Sequence, residues 1–187
     1  MQVTIKNKER VLNQFDFLKN RDEDSICNLL IVKIQNGDFE FANKILQYGF
    51  DARQVVMNYE HIQALKKFGF SDFTLGEFGW IPHPDWLNVE TVEFGDRNYF
   101  EIGQGPNGKW TYGCNASNNT SGYGCGLNEY IDPMTKDAAI KEAISELKQW
   151  HEKQVSQEWK EEAAKNTSRR ILAKIKEYQK PKQAVLF

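Results

Sequence analysis

The sequence has few cysteines and no long apolar run, and each shortage excludes a class of protein. Three cysteines in 187 residues are too few, and odd in number, for a disulfide framework, and this usage is typical of a reducing compartment. No stretch approaches the ~20 consecutive apolar residues of a membrane-spanning helix. The opening decapeptide MQVTIKNKER has no apolar segment of a secretion signal. We therefore expect a cytoplasmic protein without disulfides.

Motifs for catalysis, phosphate binding and metal binding are also missing. The glycine-rich segments GQGPNG and GYGCG are not followed by a helix that opens with Lys-Ser or Lys-Thr, as a P-loop requires. Cys114 and Cys125 lack a closely spaced second pair, so a zinc site would need His83 and His151 from afar, and two packed thiols explain them better. No cysteine–histidine pair lies in a nucleophile motif. We predict no enzymatic activity, no cofactor and no bound metal.

Charge is distributed unevenly along the chain. Residues 1–164 hold 17 basic and 25 acidic residues, a net charge of −8, whereas residues 165–187 hold seven basic residues and one acidic residue. An acidic body suits a basic protein surface, while a basic segment attracts phosphate. The candidate partner-binding acids are Asp22, Glu23 and Asp24. The candidate nucleic-acid-binding residues are Arg169, Arg170, Lys174, Lys176, Lys136 and Lys141.

Apolar periodicity predicts a helical N-terminal part over residues 1–72. The segment SICNLLIVKIQ carries apolar residues at near-helical spacing. A turn at Asn36-Gly37 separates it from a helix that begins at Asp38 and ends at Gly49. HIQALKKFGF then predicts one more short helix.

Residues 73–152 predict a β-β-β-α domain. VETVEF, RNYFEIG and KWTYGCNA alternate as strands of a small antiparallel three-stranded sheet, and SNNTSGYGCG predicts a flexible loop that leads to a strand near 127–131. A long helix capped by Thr135 covers the sheet, with a pattern that runs on to Ala163. NTS at 166–168 caps a basic helix in a C-terminal extension, 153–187, that ends in an apolar tail. The predicted fold class is α+β.

Nine aromatic residues between 68 and 100 interrupt the helical pattern. Burial in a core is the first explanation, a protein-binding groove the second, and a platform for stacking bases the third. Stacking platforms place exposed aromatic rings beside positive charge. Arg97 is the only lysine or arginine between Lys67 and Lys109, which favours the first two explanations.

Short segments resemble known families. The run GDFEFANKILQYGFD, residues 38–51 with the preceding glycine, resembles one helix of an ankyrin-type repeat. The β-β-β-α order with TKDAAIKEA at the helix start is similar in topology to a double-stranded-RNA-binding domain. That resemblance implies phosphate contacts by Lys136 and Lys141, although Asp132 and Asp137 stand beside them. The glycine-rich loop followed by AIKEAISELKQW resembles small accessory domains of phages and plasmids, which implies a mobile-element context.

The final residues, QAVLF, resemble the peptide by which bacterial polymerases and repair proteins hold the sliding clamp. The resemblance implies that Gln183 sets the register by hydrogen bonds while Leu186 and Phe187 fill an apolar pocket. The alternative is that Leu186 and Phe187 dock onto the chain's own domain as a terminal anchor.

Together these features predict a non-enzymatic interaction protein of a phage or another mobile element. Its expected partner is a host nucleoprotein machine, which it inhibits or to which it is tethered; small size and an acidic body make it resemble an anti-CRISPR inhibitor of an RNA-guided nuclease. The alternative is an accessory protein held by the sliding clamp, or one that binds RNA or DNA directly through the basic C-terminal helix.

Overall fold

The computed structural model describes residues 1–16, 18 and 26–180. The chain forms two compact units, Met1–Asp85 and Trp86–Phe187. The described residues form six helices and one four-stranded antiparallel sheet, which confirms the predicted α+β class. None of the helices in these ranges combines the length and the apolar character needed to cross a bilayer.

The first unit is helical, and its last helix is longer than predicted. Asp38 caps the third helix through its side chain, which accepts a hydrogen bond from the Phe41 N–H at 3.3 Å, as the sequence predicts. The fourth helix begins at Ala52 and not near His61, because Asp51 caps it by accepting from the Gln54 N–H at 2.9 Å. The four helices are α1 Lys8–Asp16, α2 Ile26–Gln35, α3 Phe39–Leu46 and α4 Ala52–Lys66.

An amide side chain ties the first residues of the chain to α3. The Asn43 side chain accepts from the Val3 N–H at 2.7 Å and donates to the Val3 carbonyl at 3.0 Å, so it satisfies both polar groups of that residue. The Val3 side chain is thereby held in the core of this unit. The largest fully buried side chains around it are Phe15, Leu30, Ile34 and Leu46.

The second unit contains the sheet, which has four strands and not three. The extra strand lies in the glycine-rich segment that predicted a loop, and residues 127–131 do not form the expected strand. The strand forms because the buried Asn118 carboxamide oxygen accepts from the N–H groups of Thr120 and Ser121, at 3.2 and 2.9 Å, and closes a tight turn. The strands are β1 Leu87–Gly95, β2 Asn98–Gln104, β3 Trp110–Ser117 and β4 Gly122–Cys125, paired in that order.

Two helices, α5 Lys136–Ser156 and α6 Glu162–Tyr178, complete the second unit. The Thr135 hydroxyl accepts from the Ala138 N–H at 3.3 Å, which confirms the predicted cap. The helical pattern does not run on to Ala163, because the extended backbone of Gln157 ends α5. The prediction that 166–168 caps the next helix is wrong: α6 begins at Glu162, and Thr167 and Ser168 face its buried side.

On one face of the sheet, a backbone segment passes directly over a glycine. A Cβ atom placed on Gly113 would lie 2.4 Å from the carbonyl carbon and oxygen of Gly126. The crossing is held by Asn128, whose N–H donates to the Tyr112 carbonyl at 3.1 Å and whose carbonyl accepts from the Thr111 hydroxyl. Only a residue without a side chain permits this approach.

We predict that Gly113→Ala lowers the free energy of unfolding by about 2 kcal/mol, because the added methyl group overpacks the crossing. Gly126→Ala is the matched control, since a Cβ atom there meets only a carboxylate oxygen of Glu101 at 3.8 Å. Urea unfolding followed by tryptophan fluorescence measures both, as four of the five tryptophans lie in the second unit. Equal stability of the two variants would contradict the described crossing.

Candidate functional site: an exposed aromatic turn

The structure divides the aromatic residues of the 68–100 segment between core and surface. Phe68, Phe94 and Phe100 are buried, as the first explanation predicts. Phe78 and Trp80, by contrast, expose 76% and 42% of their surface. Core packing therefore accounts for only part of the segment.

Phe78 lies at the tip of a tight turn over residues 76–80. The Gly76 N–H donates to the Trp80 carbonyl at 2.8 Å, and the Gly79 N–H donates to the Gly76 carbonyl at 2.9 Å. Gly79 has a φ of +78°, in the left-handed region that favours glycine. The turn is thus closed by its own backbone, and this closure projects the Phe78 ring outwards.

A buried amide on α4 holds the base of the turn. The Asn58 side chain is 1% exposed and donates to the carbonyls of Tyr48 and Gly79, at 2.6 and 2.7 Å. Its oxygen accepts from the Ile81 N–H at 3.0 Å. One side chain therefore fixes the C-terminal end of the turn to α4 and to the loop that precedes α4.

A second amide, one helical turn earlier, joins Phe78 to Phe50. The Gln54 oxygen accepts from the Phe50 N–H at 3.0 Å, and its nitrogen donates to the Phe78 carbonyl at 2.9 Å. The Phe50 ring lies against Gly79, where a Cβ atom would be 2.8 Å from its Cδ2. Phe50 is 64% exposed. We call Phe50, Phe78 and Trp80 the aromatic turn.

The arrangement suits docking of a protein better than stacking of bases. Its adjacent charged residues in sequence, Asp51 and Glu77, are both exposed acids, and they outnumber the exposed Arg53 nearby, whereas surfaces that stack bases carry an excess of positive charge for the phosphates. A cleft of about 530 Å³ lies beside Phe50 and is also lined by Arg53 and Ala52. Exposed aromatic rings next to a cleft are typical anchors of protein–protein contacts.

Sequence reasoning missed Gln54, Asn58 and the role of Phe50. Asp51, a good N-cap residue three positions before Gln54, was an available signal. A helix predicted to begin after Asp51 would include both Gln54 and Asn58. The contacts of those amides with residues 78–81 join positions more than twenty residues apart in sequence. No local pattern predicts them.

Most of the basic residues predicted to bind nucleic acid have partners within the second unit. Lys136 pairs with Glu90 and lies over the Trp110 ring. On α6, Arg169 contacts Glu162 and Asn166, Arg170 contacts Asp96, and Lys174 donates to the Phe94 carbonyl. Lys141 and Lys176 are exposed and pair with no residue in the described part of the chain. The helix thus offers less free positive charge than its sequence indicates.

Two groups of predicted site residues lie outside the described residues. Asp22, Glu23 and Asp24, the candidate partner-binding acids, fall between α1 and α2. Gln183, Leu186 and Phe187, the clamp-like residues, follow α6. Both sets stay predictions.

A buried serine, histidine and asparagine form the arrangement that most resembles a catalytic group. The His151 Nδ1 lies 3.1 Å from the Ser168 hydroxyl, and its Nε2 lies 2.8 Å from the Asn98 oxygen. Because that oxygen also accepts from the Ser117 N–H, Nε2 carries the proton and donates. Nδ1 is then the acceptor, and Ser168 donates to it.

Access rules out catalysis by this group. Ser168 and His151 are 0% exposed and Asn98 is 1% exposed, so no substrate reaches the serine oxygen. Ser168 also lies inside α6, where backbone N–H groups bond within the helix and leave none to stabilise an oxyanion. The group joins the start of β2 to α5 and α6, and its role is structural. With both ring nitrogens engaged, His151 is also unsuited to complete a zinc site with Cys114 and Cys125.

The buried histidine predicts a pH dependence of stability. Burial lowers the pKa of His151 to about 4, so between about pH 6.5 and 4 the unfolded chain binds the proton that the folded chain refuses. The stabilising contribution is complete above pH 6.5 and falls by up to about 3 kcal/mol as the pH drops to 4. Urea unfolding across this range measures the free energies of unfolding of the wild type and of His151→Gln. We expect the difference between the two values to become smaller as the pH falls. A difference that does not change with pH would contradict the neutral, buried histidine.

No protein-family model, no curated protein and no solved structure matches the chain. The aromatic turn combines exposed aromatic rings with hydrogen bonds that fix their position, and folding alone does not explain this combination.

Proposed function

We propose that the chain is a non-enzymatic interaction protein that binds another protein through the aromatic turn. The observation that carries the proposal is the exposure of Phe50, Phe78 and Trp80 on a turn fixed by two amides of α4. Exposed aromatic residues contribute little to folding, because they stay in contact with water. Their rigid placement is explained by binding.

The fixed position of these rings should increase the affinity for a partner. Association costs conformational entropy when interface side chains and loops must be ordered, and a surface that is already ordered avoids that cost. Aromatic residues are enriched among the few residues that dominate binding energies. Asn58 and Gln54 thus act as positioning residues for the aromatic turn.

The partner that fits this surface is basic and carries an apolar pocket. Asp51 and Glu77 are adjacent to aromatic-turn residues and outnumber the exposed Arg53 there, and opposite charge around an apolar centre gives electrostatic complementarity. Proteins that handle nucleic acids present such basic surfaces. A host nucleoprotein machine is therefore the partner we propose, in the setting of a phage or another mobile element, and an RNA-guided defence nuclease is the first one to test.

We predict that Phe78→Ala weakens partner binding by about 10- to 30-fold, the effect of losing one dominant contact residue. The matched control is Ile5→Ala, which truncates another apolar residue of the same unit that is 83% exposed but lies outside the aromatic turn. Immobilised full-length variants are incubated with bacterial lysate, and captured proteins are quantified by mass spectrometry with and without nuclease.

The captured protein should be retained by the wild type and by Ile5→Ala, recovered in clearly smaller amount with Phe78→Ala, and retained after nuclease treatment. Capture by Phe78→Ala in the same amount as by the wild type would contradict the proposal. So would capture that disappears with nuclease and falls steeply with salt, since that behaviour is typical of phosphate contacts and favours the direct nucleic-acid alternative.

Variants of Gln54 test whether binding depends on the position of the aromatic rings as well as on their presence. Gln54→Ala removes both hydrogen bonds that join Phe50 to Phe78, so affinity should fall although all three aromatic residues remain. Gln54→Glu keeps an acceptor for the Phe50 N–H but loses the donor to the Phe78 carbonyl, and we expect an intermediate affinity. Titration calorimetry with the captured partner measures both. Wild-type affinity in Gln54→Ala would mean that preorganisation is not required.

A further inference from the structure

Cys114 and Cys125 lie directly opposite each other on β3 and β4. Their Cα atoms are paired in the antiparallel register, next to the pair of Asn115 with Gly124. Directly opposed residues of antiparallel strands project from the same face of the sheet. The two thiols are therefore neighbours, although they are eleven positions apart in sequence.

The register brings the two cysteines within the range of a disulfide. Directly opposed residues on antiparallel strands have Cα atoms about 4.5 to 5.5 Å apart. A disulfide joins Cα atoms about 4.4 to 6.8 Å apart. Both cysteines are free thiols in this structure, so a bond between them needs side-chain rotation and no change of strand pairing.

The two thiols differ in access. Cys125 is exposed, whereas Cys114 is buried beneath α5, where its thiol donates a weak hydrogen bond to the Ala143 carbonyl at 3.7 Å. Burial raises the pKa of the Cys114 thiol, and the nearby Glu146 carboxylate adds to the rise. An oxidant from solution therefore meets Cys125 first.

We propose that Cys114 and Cys125 are a reversible redox modification site. A small disulfide of the glutathione class is the oxidant, and the product is a disulfide bond between the two cysteines of the same chain. Cys125 is the attacking residue and Cys114 the resolving residue. The bond closes residues 114–125 into a ring that contains the turn held by Asn118.

The reaction is two thiol–disulfide exchanges in sequence. The Cys125 thiolate attacks one sulfur of the small disulfide and displaces one thiolate, which leaves a mixed disulfide on Cys125. The Cys114 thiol then gives its proton to the thiolate released in the first step, and its sulfur attacks the Cys125 sulfur and expels the second thiolate. Two protein thiols are oxidised, one small disulfide is reduced to two thiols, and the two protons released balance the two thiolates.

The strand that carries Cys125 is suited to this change. β4 is four residues long and pairs only with β3 within the sheet, so it is an edge strand with one ladder, and its C-terminal end is held in place by the crossing of Gly126 over Gly113. The reaction gives up the weak hydrogen bond from the Cys114 thiol to the Ala143 carbonyl. In return the disulfide restricts the unfolded chain, which stabilises the folded state.

The test treats the full-length folded protein with excess oxidised glutathione, alkylates the remaining thiols after denaturation, and digests with trypsin. Both cysteines fall in one tryptic peptide, 110–136, and Cys27 falls in another, 22–33. We expect the 110–136 peptide to be unalkylated and lighter by two hydrogen atoms than the reduced form. The buried Cys27 should be alkylated, and dithiothreitol should reverse the change.

Variants assign the order of the two steps. Cys114→Ala should accumulate the glutathione adduct on Cys125, and Cys125→Ser should leave Cys114 unmodified, because that thiol is buried. Three outcomes for the wild type overturn the proposal: two alkylated cysteines in the 110–136 peptide, a persistent glutathione adduct on Cys125, or a disulfide between two chains. The wild-type result decides even if a variant folds poorly.

Discussion

Two amide side chains on one helix determine how the first unit presents its aromatic residues. Asn58 is buried and bonds three backbone groups, at Tyr48, Gly79 and Ile81, while Gln54 bonds two more. A carboxamide can bond backbone N–H and carbonyl groups at the same time, because it offers donors and an acceptor on one planar group. Without these contacts the turn would sample many conformations, and a partner would have to order it at an entropic cost. The proposed function depends on this pair.

In the second unit, polar side chains that bond other elements lie in the buried interior. Asn98 and His151 are fully enclosed and connect a strand to two helices, and burial keeps the histidine neutral. The basic residues of α6 are drawn into the same architecture, since Arg170 contacts Asp96 and Lys174 donates to the Phe94 carbonyl. Polar and basic residues that suggest a functional site in the sequence therefore mainly connect the elements of this unit.

Local signals explain which parts of the fold were predictable. Asp38 and Thr135 cap helices where the sequence places them, because a cap is decided within three residues. β4 escaped prediction because GYGC has no apolar alternation, and its pairing follows from the turn at Asn118. The surface position of Phe78 escaped it as well, since burial is set by contacts with α4 that are distant in sequence.

Hydroxyl-radical footprinting of the full chain, alone and bound to its captured partner, shows whether the aromatic turn is the binding surface, because it reports side-chain access at individual aromatic residues. We predict that Phe50, Phe78 and Trp80 oxidise readily in the free chain and are protected in the complex. Trp159, which is 74% exposed in the second unit, should oxidise at the same rate in both. Unchanged oxidation of the aromatic turn in a complex that protects α6 would contradict it.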